Sequence, residues 1–275
     1  MTGQRTATGL VFLALFVFCV PAVAKSDPNT ADKRHTFEIG PEVSWIEYRE
    51  PGLMKDKGVM YGVGGSYIYR GPLFSSTETN SWMLRADGRY SAGQVDYDGH
   101  LQNGTPYSMN NIDDYIWEIR GLFGYDFKSD NARTTPYTGF GYRYLNDDSS
   151  GDPAGYERES NYFYIPAGVD VLLLSKEQWS LGGIVEFDFL AYGEQKSHLE
   201  DVEGLESLGV VKNKQHSGWG LRASVRLQER KPGVNFGVEP FVRYWDIRNS
   251  KVSDDVFIEP ENRSIETGIR LVWTF

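Results

Sequence analysis

The chain has 275 residues, a formal net charge of −10, 14% aromatic residues, 30 Gly and one Cys. The acidity argues against nucleic acid as a partner, and the lack of any cysteine beyond Cys19 excludes a disulfide scaffold and thiol chemistry. No apolar run after residue 24 approaches the roughly 18 residues of a membrane helix, but membrane strands would not show such a run, because half of each is polar.

Residues 1–24 read as a secretory signal. Arg5 gives the positive end, "LVFLALFVFCV" the apolar core, and Ala22-Val23-Ala24 the small-residue cleavage site before Lys25. Residues 25–35 follow as a short periplasmic segment, and 36–275 form the body of the protein. Ten stretches of that body alternate with period two, at 36–49, 59–70, 81–95, 115–127, 136–146, 161–174, 179–196, 217–229, 235–249 and 263–275. No stretch carries a helical period.

The connectors alternate as well. "KSDNARTT", "SKEQ" and "ERKPGV" are short, while "DYDGHLQNGTPYSMNNIDD", "NDDSSGDPAGYERES" and "SHLEDVEGLESLGVVKNKQH" are long and acidic. "GPLFSSTETN", between the second and third stretches, is long for a turn on the short side. Short periplasmic turns and long extracellular loops predict a transmembrane antiparallel β-barrel of ten strands.

The two faces of each stretch differ. In the third, Trp82, Leu84, Ala86 and Tyr90 oppose Arg85, Asp87 and Arg89; in the eighth, Trp219, Leu221, Ala223, Val225 and Leu227 oppose Arg222, Ser224 and Arg226. Aromatics stand at the ends of the apolar faces with aliphatics between, as in the two girdles that flank a lipid band. The polar faces carry ten acids (Glu38, Glu42, Asp87, Glu118, Asp126, Asp170, Glu186, Asp188, Glu239, Glu266) and eight bases (Arg85, Arg89, Arg120, Arg143, Arg222, Arg226, Arg243, Arg270). Every base is arginine, whose planar fork pairs with enclosed carboxylates and keeps its charge. All eleven lysines lie outside the strand cores. Near-balance predicts a closed, cross-linked lumen rather than a selective pore.

The final stretch, "SIETGIRLVWTF", sets Ile265, Ile269, Leu271, Trp273 and Phe275 on one face. It resembles the C-terminal signature of bacterial outer-membrane proteins. Its predicted partner is the first strand, so that no edge is left in lipid.

Ten strands with five outer loops resemble the omptin family of outer-membrane proteases. The local point of resemblance is "QVDYDGH", where Asp96 and Asp98 match an Asp-x-Asp pair, and "GEQKSHLED" supplies His198 where omptins carry an Asp-x-His pair. The resemblance implies a catalytic group of Asp96, Asp98 and His198 activating water. Lys196 stands where the second acid belongs, and a lysine disfavours the charged imidazole that the acid would stabilise. Of the acids weighed as substitutes, Glu194 is a full pleat repeat further away and Asp201 faces the other side. The four histidines, His35, His100, His198 and His216, show no metal-ligand spacing, and the acidic loops no calcium-loop pattern. No nucleotide, phosphate or nucleophile motif is present, so no cofactor and no metal are expected.

The sequence thus favours a non-enzymatic outer-membrane barrel with a charged, largely occluded lumen, its loops serving adhesion or envelope interaction. The alternatives are an omptin-like endopeptidase and a narrow porin. The expected lumen network centres on Arg85, Asp87, Glu118, Arg120, Glu186, Asp188, Arg222, Arg226, Arg243 and Arg270. The expected partners are membrane lipid, lipopolysaccharide and an extracellular protein or cationic ligand, with a monomer favoured.

Overall fold

The structure, a computed structural model, describes residues 33–72, 80–101, 104–129, 132–252 and 257–275. The expected signal segment, most of 25–35 and residues 73–79 of the "GPLFSSTETN" connector lie outside the described residues. The strands are β1 (His35–Glu50), β2 (Met54–Gly71), β3 (Ser81–His100), β4 (Pro106–Ser129), β5 (Ala132–Asp148), β6 (Glu157–Ser175), β7 (Trp179–His198), β8 (Val210–Gln215), β9 (Gly218–Glu229), β10 (Asn235–Ile247) and β11 (Asn262–Thr274).

All pairs are antiparallel, and β1 pairs with both β2 and β11, which closes the sheet. The outer end of β7 pairs with β8 and the rest of β7 with β9. Ten strands therefore make the barrel, and β8 is an additional short strand on its outer rim. Each alternating stretch of the sequence overlaps one barrel strand. The loop "SHLEDVEGLESLGVVKNKQH" is more ordered than expected. It contains two 3-10 turns, Leu199–Asp201 and Glu206–Leu208, and all of β8.

Spanning a bilayer takes roughly 9–11 tilted strand residues. β3 has 20 residues and β4 has 24, so the wall rises well above the membrane on the loop side. The described turns at the other end, after β6 and after β9, are short; Gly233, at φ 90°, takes the left-handed backbone needed between β9 and β10.

Outward-facing aromatics form two rings. On the outer side Tyr90, Tyr115 and Tyr144 follow one another at centroid distances of 6.2 and 5.8 Å, and Tyr142, Phe163 and Tyr192 continue the series at 4.6 and 6.4 Å. On the periplasmic side Phe37 meets Tyr67 at 4.8 Å, Trp82 meets Phe123 at 4.8 Å, and Phe236 meets Trp273 at 5.6 Å. Exposed Val63, Ile119, Val225 and Ile269 lie on the wall between the rings. The lipid band is therefore outside and the charge inside.

Inside, the lumen is layered. Ile68, Met83, Leu122 and Tyr137 pack toward the periplasmic end. A belt of arginines and carboxylates follows. Above it lie two apolar clusters, one of Ile46, Met60, Val95, Ile112, Ile116 and Leu145 among others, the second of Tyr162, Tyr164, Leu190, Trp245 and Ile247.

Candidate functional site

The belt is assembled by strand parity, which brings the charged residue of every second position to the lumen. Its bonds run between distant strands. Arg222 on β9 reaches Glu118 on β4 at 2.5 Å and Asp188 on β7 at 2.6 Å. Arg120 on β4 bonds Asp87 and Glu186, each at 2.6 Å. Arg89 on β3 holds Glu118 at 2.9 Å and Glu266 on β11 at 3.2 Å. Arg243 bonds Glu42 and Glu266 at 3.0 Å each. Arg226 joins Glu239 at 2.7 Å and Glu38 at 2.5 Å, and Arg270 joins Glu239 at 2.8 Å. Arg85 pairs with Asp87 at 2.5 Å. Arg143 lies over the Trp245 ring at 5.9 Å.

Two further arginines belong to this set. Arg70 lies 3.3 Å from Asp126, and Arg133 lies 3.9 Å from the same carboxylate. They raise the arginines of the belt from eight to ten, equal to the acids of the belt. Both sit at positions of inward parity, Arg70 as the last residue of the second stretch and Arg133 just before the fifth, so carrying the alternation through both strand ends finds them. The belt also depends on neutral neighbours. Tyr164 donates to Glu118 at 2.5 Å and Tyr137 to Glu186 at 2.7 Å. Gly141 makes room for Tyr164, because a Cβ there would stand 2.1 Å from its ring. The space left between the belt's side chains is a cavity of ≈ 90 Å³, enough for a few waters.

The residues matched to a protease site are placed elsewhere. On β3 the odd positions face inward, from Arg85 through Val95 and Tyr97, so Asp96 and Asp98 face outward and are exposed. Asp98 lies 3.8 Å from Lys55 and 3.9 Å from Lys57, and Asp96 accepts the backbone N–H of Asn111 at 3.2 Å. On β7 the inward positions are even up to Leu190 and odd from Gly193. The cause is a bulge: Phe163 of β6 faces Tyr192 while Tyr164 faces Leu190, which leaves Ala191 as the extra residue. His198 and Lys196 are thereby turned to the outer wall.

His198 and Lys196 share Glu159 of β6, each at 3.0 Å. Burial pulls the His198 imidazole down, but its bond to Glu159 and the charges of Glu157 and Glu200 hold it above its ordinary value. Glu159 thus supplies the acid that the sequence motif lacked. Yet β3 and β7 are separated by three strands, and Asp96 and Asp98 point away from the barrel on one side while His198 points away on another. Among the described residues, nothing links the pair to the histidine. No group of three His, Cys, Asp or Glu among the described residues is arranged to hold a metal ion.

The inner positions of the mouth carry a different group. Tyr48 and Glu50 of β1, Asp56 of β2, Asp114 of β4, Asp147 of β5, Arg158 of β6 and Glu259 meet above the apolar clusters. Their chain neighbours on the outer wall are polar (Lys55, Lys57, Asp113, Asp148), so this chamber lies beyond the lipid band. Arg158 bonds Glu50 at 2.5 Å and lies 3.5 Å from Glu259. Burial, reinforced by Asp147, pushes Asp56 up to about 8. Burial also lifts Asp147 to about 6 and Glu259 to about 8 in spite of Arg158. Asp114 is raised well above the usual carboxylate range by burial and by the charges of Asp147 and Asp56.

A closed antiparallel barrel, ringed twice by aromatics and charged within, is a bacterial outer-membrane β-barrel protein. A family model described as "Outer membrane protein beta-barrel domain" matches residues 10–190, well over half of the chain. The chain belongs to that family, and its place is the outer membrane. Among solved structures it is similar to the outer membrane protease OmpT of Escherichia coli, with a TM-score of 0.53 at 12% identity, covering 88% of this chain and 97% of that one. At that identity the likeness is one of fold. Neisserial surface protein A (TM-score 0.33, 11% identity, 86% and 95% covered) and the Pseudomonas putida toluene transporter TodX (0.34, 10%, 89% and 89%) are further barrels. No curated protein matches the chain by sequence.

Proposed function

We propose that this protein is a non-conducting surface barrel that anchors in the lipopolysaccharide leaflet and presents its outer wall and loops for adhesion or envelope interaction. The observation that carries the reading is the belt. Arginine–carboxylate bonds join β4 to β7 and β9, and β3 to β11, across the lumen, and apolar clusters lie above. An ion entering that section would have to break paired, desolvated charges. The placement of Asp96, Asp98 and His198 on separate parts of the outer wall argues against an omptin-like endopeptidase.

The anchoring part rests on one row of the outer wall. Arg49 faces Lys55 on one side and Arg263 on the other, so three cations stand abreast across β2, β1 and β11. Their side chains are 57%, 33% and 47% exposed. Each has a carboxylate neighbour (Glu47 for Arg49, Asp98 for Lys55, Asp246 and Glu261 for Arg263), and each is exposed enough for its cation to reach the phosphates of a lipid headgroup.

Two measurements test this reading. In planar bilayers the purified protein is expected to show no steady conductance; large, ion-selective channels would replace it with the porin reading. Replacing Arg49, Lys55 and Arg263 together by Ser is expected to lower co-purifying lipopolysaccharide severalfold. Unchanged lipopolysaccharide would remove the anchoring row.

A further inference from the structure

The mouth chamber holds five carboxylates and one arginine, and its geometry is not that of the belt below. Glu50, Asp56, Asp114 and Glu259 are all at least nine-tenths buried. Asp114 and Asp147 are direct partners across β4 and β5. One oxygen each of Asp56, Asp114 and Asp147 is out of solvent and accepts no hydrogen bond among the described residues. These side chains line a cavity of ≈ 10 Å³, the size of a single water, whose other walls include Ile46, Val95 and Leu145.

Like charges at such a spacing, without water around them, do not all ionise; the group must hold protons or come apart. Arg158 favours the charged form of Asp56, Asp114 and Asp147, but burial outweighs it, and its guanidinium is bonded to Glu50 and lies against Glu259. Those two contacts also tie β6 to β1 and to the segment before β11. The remaining neighbours reinforce the acids. Tyr97 of β3 and Tyr156 bring no positive charge, and Asp98 and Asp148 add negative field from the outer wall.

We propose that the mouth is a proton-operated latch, in which shared protons on Asp56, Asp114 and Asp147 keep the outer ends of β2, β4 and β5 packed. When the trio ionises, the acids separate, Arg158 turns from Glu50 toward them, and water reaches the apolar layer through Val95. The sign follows from the raised values of the trio and of Glu259. The packed mouth binds more protons than the opened one, so it is most stable in acid and weakens as pH climbs from about 4 to about 8. Outside the chamber nothing needs to move, since the belt and the lipid-facing wall take no part.

The test uses the full chain in lipopolysaccharide-containing vesicles, with a cysteine placed at Val95 on the chamber floor (Val95→Cys). Its labelling by a membrane-impermeant thiol reagent is divided by that of an exposed reference, Lys212→Cys, which removes the reagent's own pH dependence. The ratio is expected to rise at least tenfold between pH 5 and pH 9. With Asp114→Asn and Asp147→Asn added, it is expected to stay at its acid level throughout. If that double variant fails to fold, as judged by heat-dependent gel mobility, Asp56→Asn alone is expected to flatten the rise. A ratio constant with pH in the parent, or a rise unaltered by the Asn variants, overturns the latch.

Discussion

Arg222 shows what a single residue contributes to this barrel. It sits between Glu118, Asp188 and Tyr164, donating to all three, with its guanidinium 5.3 Å from the Tyr164 ring centroid. Replacing it by Ala leaves two enclosed carboxylates short of their partner, which costs about 3–5 kcal/mol in comparable buried pairs. Arg222→Ala is therefore expected to lower the urea midpoint of folding in lipid vesicles well below that of Arg248→Ala, an exposed arginine just beyond the end of β10. Equal midpoints would mean that the belt adds nothing to stability. Much of this was legible in the residues, because enclosed carboxylates need permanent, fork-shaped cations beside them, and the polar faces supply arginine alone in matching number. The inward parity of Arg85 and Arg89 also places Asp96 and Asp98 outward, an odd number of positions (seven and nine) on from Arg89. A motif match, being read by spacing between its own members, does not carry that information.

At the scale of a strand, parity stops being sufficient. Counting on from Glu186 and Asp188 puts His198 inside, and only the extra residue at Ala191 puts it outside. A bulge leaves little trace in the sequence, since it is one residue accommodated by backbone geometry. The same limit hid β8, a short polar strand whose pairing depends on the outer end of β7. Deleting Ala191 is expected to restore the lower phase above it and exchange the two faces. In the parent, His198→Cys is expected to react with an impermeant maleimide faster than Ser197→Cys, and in the deletion the order should invert. An unchanged order would mean that the outer end of β7 is held by Glu159 and β8 rather than by its register.

For the whole molecule, the governing quantity is the depth at which each side chain meets lipid. Val225 lies between the two aromatic rings and is 54% exposed. An arginine in its place should cost about 2–4 kcal/mol near the bilayer midplane, whereas the same change at Lys212, above the outer ring, should cost close to nothing. Folding titrations of Val225→Arg and Lys212→Arg in vesicles measure the difference, and equal costs would invalidate the inside–outside assignment. The architecture was legible in the sequence because it repeats ten times. The mouth was not, because Asp56, Asp114, Asp147 and Arg158 come from four strands and meet only after closure.

The pairing of β1 with β11 also dictates an order of assembly. Phe37 and Phe275 exchange backbone hydrogen bonds, yet they stand at opposite ends of the sequence. Arg226 waits for Glu38 and Arg243 for Glu42 over similarly long separations. A half-built sheet would therefore offer lipid both an unpaired strand edge and uncompensated charge. Intermediates of that kind have no stable home in the bilayer, so the last seam and the ionic interior must form together. Both the seam and the ionic interior are built from contacts between sequence-distant residues, the kind whose loop-closure cost is highest.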